Sequence, residues 1–172
     1  TFNTHAIISE NRCTKIDKNI DNDLAALLGC AITTGFGVVE NNAKIRMGES
    51  VVVFGAGGVG LNIIQACSLH SAFPIIAVDL FENRLDLAKK FGATHTVNSD
   101  KFNASIEIKK ILKNANLDVF IDNTGNTKII ESGYEMISSL GRLVLVGVPK
   151  IGQNINIFSL PLHFGKKLIG SY

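Results

Sequence analysis

The most constraining feature of this chain is one short stretch. Four apolar β-formers, Val51-Val52-Val53-Phe54, run straight into Gly55-Ala56-Gly57-Gly58-Val59-Gly60. Gly60, Ile63, Ile64 and Cys67 then recur at helical spacing. A strand, a glycine turn and an amphipathic helix in that order make one βα unit. The unit recurs. Strands are predicted at Ser50–Gly55, Pro74–Asp79, Thr94–Asn98, Leu117–Asp122 and Arg142–Gly147. Helices are predicted between them, at Glu82–Phe91, roughly at Phe102–Lys113, and along Ile130, Gly133, Tyr134 and Ile137. Several strands are continuous apolar runs, the pattern of strands buried on both faces. Right-handed βα repeats of this kind build an open, doubly wound parallel sheet with helices on both faces.

The flanks read differently. Thr4–Ser9 is predicted as a strand, Leu24–Leu28 as a short apolar helical segment, and Gly29–Ala43 as a helix with a glycine-rich start. Asn154–Ile157 and Lys167–Tyr172 are further candidate strands.

Charge and cysteine content narrow the class of function. Lys and Arg number 17 against 15 Asp and Glu, so the formal charge is only +2. No strong field for nucleic acid or an anionic membrane is expected. No uninterrupted apolar run approaches the ~20 residues of a membrane helix, and no basic, apolar leader opens the chain. Three cysteines, Cys13, Cys30 and Cys67, without paired spacing argue for a reducing, cytoplasmic setting rather than a disulfide framework. Cys67 lies on the buried stripe of its helix and reads as a core thiol. The four histidines are scattered and read as surface or core residues.

The glycine motif supplies the chemistry. Gly55 permits a tight turn, Gly57 lets backbone approach a pyrophosphate, and Gly60 lets the helix pack close to the sheet. Gly58 and Val59 open the helix, whose free N–H groups and positive dipole end face the anion. An ordinary strand-to-helix turn is the competing reading, and the strand–glycine–helix context favours the Rossmann-type coenzyme loop. Asp79 ends the next strand, ~20 residues on, where a carboxylate accepts from adenosine ribose hydroxyls and repels a 2′-phosphate. It therefore favours NAD over NADP. Arg84 reaches the same ribose or stays a solvated cation, and both readings stand. The strand tips at Asn123-Thr124-Gly125 and Gly147-Val148-Pro149 are expected to border the ribose and nicotinamide.

Taken together, GCAITTGFG, VVVFGAGGVG, IIAVD and LVLVGVP, in this order and spacing, resemble the zinc-dependent alcohol dehydrogenases of the medium-chain dehydrogenase/reductase superfamily. The resemblance covers nearly the whole chain. It implies a remnant of the catalytic domain over residues 1–23 and an NAD-binding domain over residues 24–172. It implies that Cys30 is a catalytic zinc ligand, the alternative being a small buried thiol. It places Thr34, one helical turn on, beside the nicotinamide, with Val59 against the ring and Gly147 and Val148 at the same end. It also implies an alcohol or aldehyde substrate, and a homodimer paired through the last strand, around Ile155–Phe158 or Lys167–Tyr172. The family's Gly-His-Glu motif is not found in this sequence, and a catalytic zinc needs three protein ligands. The chain as given is therefore expected to bind coenzyme without oxidising alcohol. A free-standing NAD(H) sensor is the alternative reading.

Overall fold

A computed structural model describes residues 3–113 and 115–171. Six parallel strands form one sheet in the order β3-β2-β1-β4-β5-β6. They are β1 (Val51–Phe54), β2 (Ile75–Asp79), β3 (His95–Asn98), β4 (Leu117–Asp122), β5 (Ile137–Leu145) and β6 (Lys167–Gly170). The order reverses between β1 and β4, the switch point at which open α/β sheets bind ligands. The doubly wound parallel sheet read from the sequence is thus the fold observed.

The apolar runs are buried on both faces, as their composition requires. Val51 and Val53 face one core with Ile75, Ala77, Val119 and Ile121, while Val52 faces the other with Ile76, Phe120 and Leu143. On the first face α3 (Gly58–Leu69) seats Ile63, Ile64 and Cys67. Leu85 and Ala88 of α4 (Glu82–Lys90) join that core. On the other face lie Ile108 and Leu112 of α5 (Ala104–Leu112), with Ile130 and Tyr134 of α6 (Thr127–Met136). Side-chain caps start the last two helices. Asn103 accepts from the Ile106 N–H, and Asn126 from the Lys128 N–H.

Three expectations are corrected, two of them at the flanks. Thr4–Ser9 is not a strand, and its residues are exposed. A β-rich composition makes a strand only beside a partner, and among the described residues this segment has none. Asn154–Ile157 is also irregular, with Ile155 and Ile157 packed against the second core as a strap rather than a strand. Ile137 ends helix α6 instead of extending it and begins β5, opposite Leu117. Tyr172, the last residue of the predicted Lys167–Tyr172 strand, lies outside the described residues.

The two N-terminal helical predictions merge. α1 (Asn22–Leu27), a π-helical stretch Leu28–Ile32, α2 (Thr33–Gly37) and a second π-helical stretch Val38–Ala43 form one continuous helix. By length and composition this helix could cross a membrane. Polar residues break its sequence into short apolar runs, while its average hydropathy stays high. Its C-terminal half is a core element instead. Val38, Val39 and Ala43 are buried, and Gly35 lies where a Cβ would collide with Asn62 of α3.

Candidate functional site

The glycine turn is held from three sides. Gly55 has φ +95°, a conformation that side chains rarely adopt. Its N–H donates to the Val78 carbonyl, and the Asn123 Nδ2 donates to the Gly55 carbonyl at 3.3 Å. The Ala56 N–H donates to Asp79 Oδ2 at 2.7 Å. A Cβ at Gly60 would overlap the Gly55 carbonyl oxygen and stand 3.0 Å from its carbon. Gly55 and Gly60 are therefore demanded by the fold itself.

Gly57 is not. Its φ is −74°, and a Cβ there would meet nothing within 4 Å. The protein leaves that space open at the N-terminus of α3, where helix geometry leaves backbone N–H groups without intrahelical partners. Room for an anion at the point of free donors is the arrangement phosphate groups use.

Asp79 is buried, yet it lines the cleft. Besides the bond from Ala56, its Oδ1 accepts from the Phe81 N–H at 3.0 Å. Arg84 Nη1 stands 3.6 Å from Oδ2. The carboxylate is thus clamped by backbone, and it retains acceptor capacity toward a ligand. A second strand-tip carboxylate does comparable work. Asp122, fully buried, accepts from the Thr124 N–H and Oγ1 at 3.0 and 2.6 Å and from the Gly125 N–H at 2.9 Å. Its own carbonyl accepts from the Val146 and Gly147 N–H groups. This shapes the loop after β4 and joins it to the end of β5. A Cβ at Gly147 would meet the Thr124 nitrogen at 2.6 Å, so the two tips touch only because glycine stands there.

These tips surround a cleft of about 890 Å³ at the C-terminal ends of β1, β2, β4 and β5. Gly55, Gly57, Gly58, Val59, Gly60, Asp79, Arg84, Thr124 and Gly147 all line it. Thr34, Val148 and Cys30 do not. Thr34 is half-buried on α2, and Val148 is exposed. The structure adds residues that the sequence reading missed. Leu80, Phe81, Phe102 and Ile129 give the cleft an apolar wall. Phe81 could have been found from its place just after Asp79. Phe102 carries no local signal, because the turn after β3 brings it in.

The cysteines separate by burial. Cys67 is buried, and burial pushes its thiol up to about 12. Cys30 is exposed, which corrects the reading of it as a small buried thiol. Among the described residues no three His, Cys, Asp or Glu side chains converge on a metal position. One thiol does not make a zinc site, so these residues alone do not fit a catalytic zinc.

Comparison with known proteins follows the same lines. Residues 58–172 match the family of zinc-binding dehydrogenases. S-(hydroxymethyl)glutathione dehydrogenase of Escherichia coli O157:H7 is 34% identical over 175 residues, covering 99% of this chain and 47% of its own length. The enzyme of that name from Saccharomyces cerevisiae is 34% identical over 176 residues, covering 99% and 46%. The chain thus spans about half the length of these curated relatives. Benzyl alcohol dehydrogenase from Acinetobacter calcoaceticus superposes with a TM-score of 0.83 at 35% identity, over 91% of this chain and 43% of its own. The alcohol dehydrogenase zinc-binding domain protein from Burkholderia ambifaria gives 0.82 at 34%, over 91% and 42%. Fold, glycine turn and these likenesses agree, and the chain belongs to the zinc-dependent alcohol dehydrogenase family of the medium-chain dehydrogenase/reductase superfamily.

Proposed function

We propose that the chain binds NAD(H) as the coenzyme-binding part of an alcohol-dehydrogenase-like oxidoreductase. The observation that carries this reading is the open space at Gly57. The fold has no need of a glycine there, and the vacated volume faces the free N–H groups of α3 within the cleft.

In this reading Gly55, Gly57, Gly58, Val59 and Gly60 form the pyrophosphate cradle, with the α3 dipole stabilising the anion. Asp79 accepts from the adenosine ribose hydroxyls, and Arg84 stands beside it. Thr124 and Gly147 border the second ribose, while Thr34 and Val148 serve the nicotinamide end. Bound NAD supplies the hydride acceptor, and NADH the donor, for an alcohol–aldehyde interconversion. The protein contributes binding and orientation. Cys30 is proposed as one zinc ligand that needs partners from beyond the described residues. The domain division, residues 1–23 against 24–172, belongs to the same proposal. So do a cytoplasmic setting and a homodimer paired along β6, whose outer edge pairs with no strand among the described residues.

The direct test is a fluorescence titration of the chain with NADH and NADPH. Saturable NADH binding, tighter than NADPH, is expected. Absence of NADH binding by the folded chain refutes the reading.

A further inference from the structure

Phe81 is an exposed aromatic residue at the mouth of the cleft. Its backbone is fixed, because its N–H donates to Asp79 Oδ1 and its carbonyl accepts from the Arg84 and Leu85 N–H groups. Its ring carries the Arg84 guanidinium, whose central carbon lies 4.8 Å from the ring centroid. The same guanidinium stands 3.6 Å from Asp79. A half-exposed arginine on a helix surface ordinarily samples many rotamers, and holding it has an entropic cost. Here a cation–π contact on one side and a carboxylate on the other select one position.

That position matters for coenzyme choice. Asp79 is the proposed acceptor for the adenosine ribose, so a 2′-phosphate on that ribose would enter beside it. An unopposed carboxylate would repel a phosphate dianion. A guanidinium held at the same place attracts it and offers planar paired donors.

Resting on the coenzyme reading above, we propose that Phe81 is a positioning residue for coenzyme specificity. By carrying Arg84 on its ring it keeps a cation beside Asp79, so the site tolerates a 2′-phosphate more than Asp79 alone allows. Asp79 and Arg84 then make opposed contributions, and their balance sets the ratio of NADPH to NADH affinity.

The test is a fluorescence titration of the chain and three variants with NADH and with NADPH. Arg84→Gln is expected to weaken NADPH about five- to tenfold more than it weakens NADH. Phe81→Leu removes the ring and moves the ratio in the same direction by about two- to fivefold. Phe81→Tyr keeps a ring and preserves the native ratio, which a purely structural role for the side chain would not require. An unchanged ratio in Phe81→Leu or Arg84→Gln overturns the proposal and leaves NADH binding standing. So does a native chain that binds NADH but shows no NADPH binding at millimolar concentration. A native chain that binds neither coenzyme overturns the functional reading itself.

Discussion

Replacing single glycines in the coenzyme turn separates what the fold needs from what a ligand needs. At Gly57 a methyl group meets no atom within 4 Å, and φ of −74° suits alanine. Gly57→Ala restricts the unfolded chain, a gain of about 0.4–1 kcal/mol. It also exchanges glycine for a poorer helix cap, a loss of similar size. The net change is within about 1 kcal/mol, so the melting temperature stays within about 4 °C of native. Gly60→Ala behaves oppositely. Its Cβ overlaps the Gly55 carbonyl, and α3 must move off β1, at a cost of about 3 kcal/mol or more. That corresponds to a fall of roughly 6–12 °C. Binding adds the decisive contrast. NADH at about 100 times its Kd stabilises the native chain by about 2.7 kcal/mol, or roughly 5–11 °C. In Gly57→Ala the methyl displaces the pyrophosphate from donors whose charge-assisted bonds contribute about 1.5–3 kcal/mol each. Affinity should fall at least about tenfold, and the ligand-induced shift should shrink with it. Thermal melts with and without NADH, with a fluorescence titration, measure both quantities. A Gly57→Ala chain that melts normally and binds NADH as tightly as native would refute the argument.

Three further outcomes are expected. Asp79→Ala should weaken NADH and also lower the melting temperature, because it strands the Ala56 and Phe81 N–H groups at a cost of about 1–3 kcal/mol; titration and melting check the two effects separately. Burial would raise the Glu49 carboxyl, but hydrogen bonds from Arg142 and the Arg46 N–H, with their charges, hold it below the usual value. Its stabilising contribution is therefore full above the unfolded-state pKa and lost as pH falls through the folded one, so Glu49→Gln should be less stable at pH 7 and flatten the acid limb of a stability–pH profile. Cys13 and Cys30 are exposed while the Cys67 thiol is pushed up to about 12 by burial, so a thiol reagent should label two sites in the native chain and the third only on unfolding.

The sheet was legible because its signal is local and repeated. Val51–Phe54 and Ile75–Asp79 are apolar on both faces, and each is followed by a helix with one buried stripe. The glycine turn and Asp79 were legible because their chemistry is tied to a fixed place in the βα unit. The flanks were not. Thr4–Ser9 has the composition of a strand, but strand formation is settled by a partner that local sequence does not reveal. The aromatic wall of the cleft was hidden for a related reason. Phe81 and Phe102 are 21 positions apart in sequence, and they meet the cleft only because β2 and β3 lie side by side with their C-terminal ends level. Asp122 carries no separate signal in the sequence, where it only ends a buried strand. Its work, three hydrogen bonds to the turn that follows it, is visible only once that turn is folded.

The two ends of the sheet spend their polar groups differently. At the N-terminal end Arg142 joins Glu49 and also donates to the carbonyls of Ala43 and Lys44, where the long helix terminates. Ser50 and Asp118 bond one another nearby. These groups satisfy each other and tie the helix to β1, β4 and β5, so substitutions there should change stability and leave coenzyme affinity alone. At the C-terminal end Asp79 and Asp122 order the turns that follow them, and Asp79 also lines the open cleft. A carboxylate that orders a turn and still faces a cleft couples the two properties. Substituting it should therefore weaken the fold and the binding together, whereas at Gly57, where an added methyl meets no atom within 4 Å, the effect should fall mainly on binding.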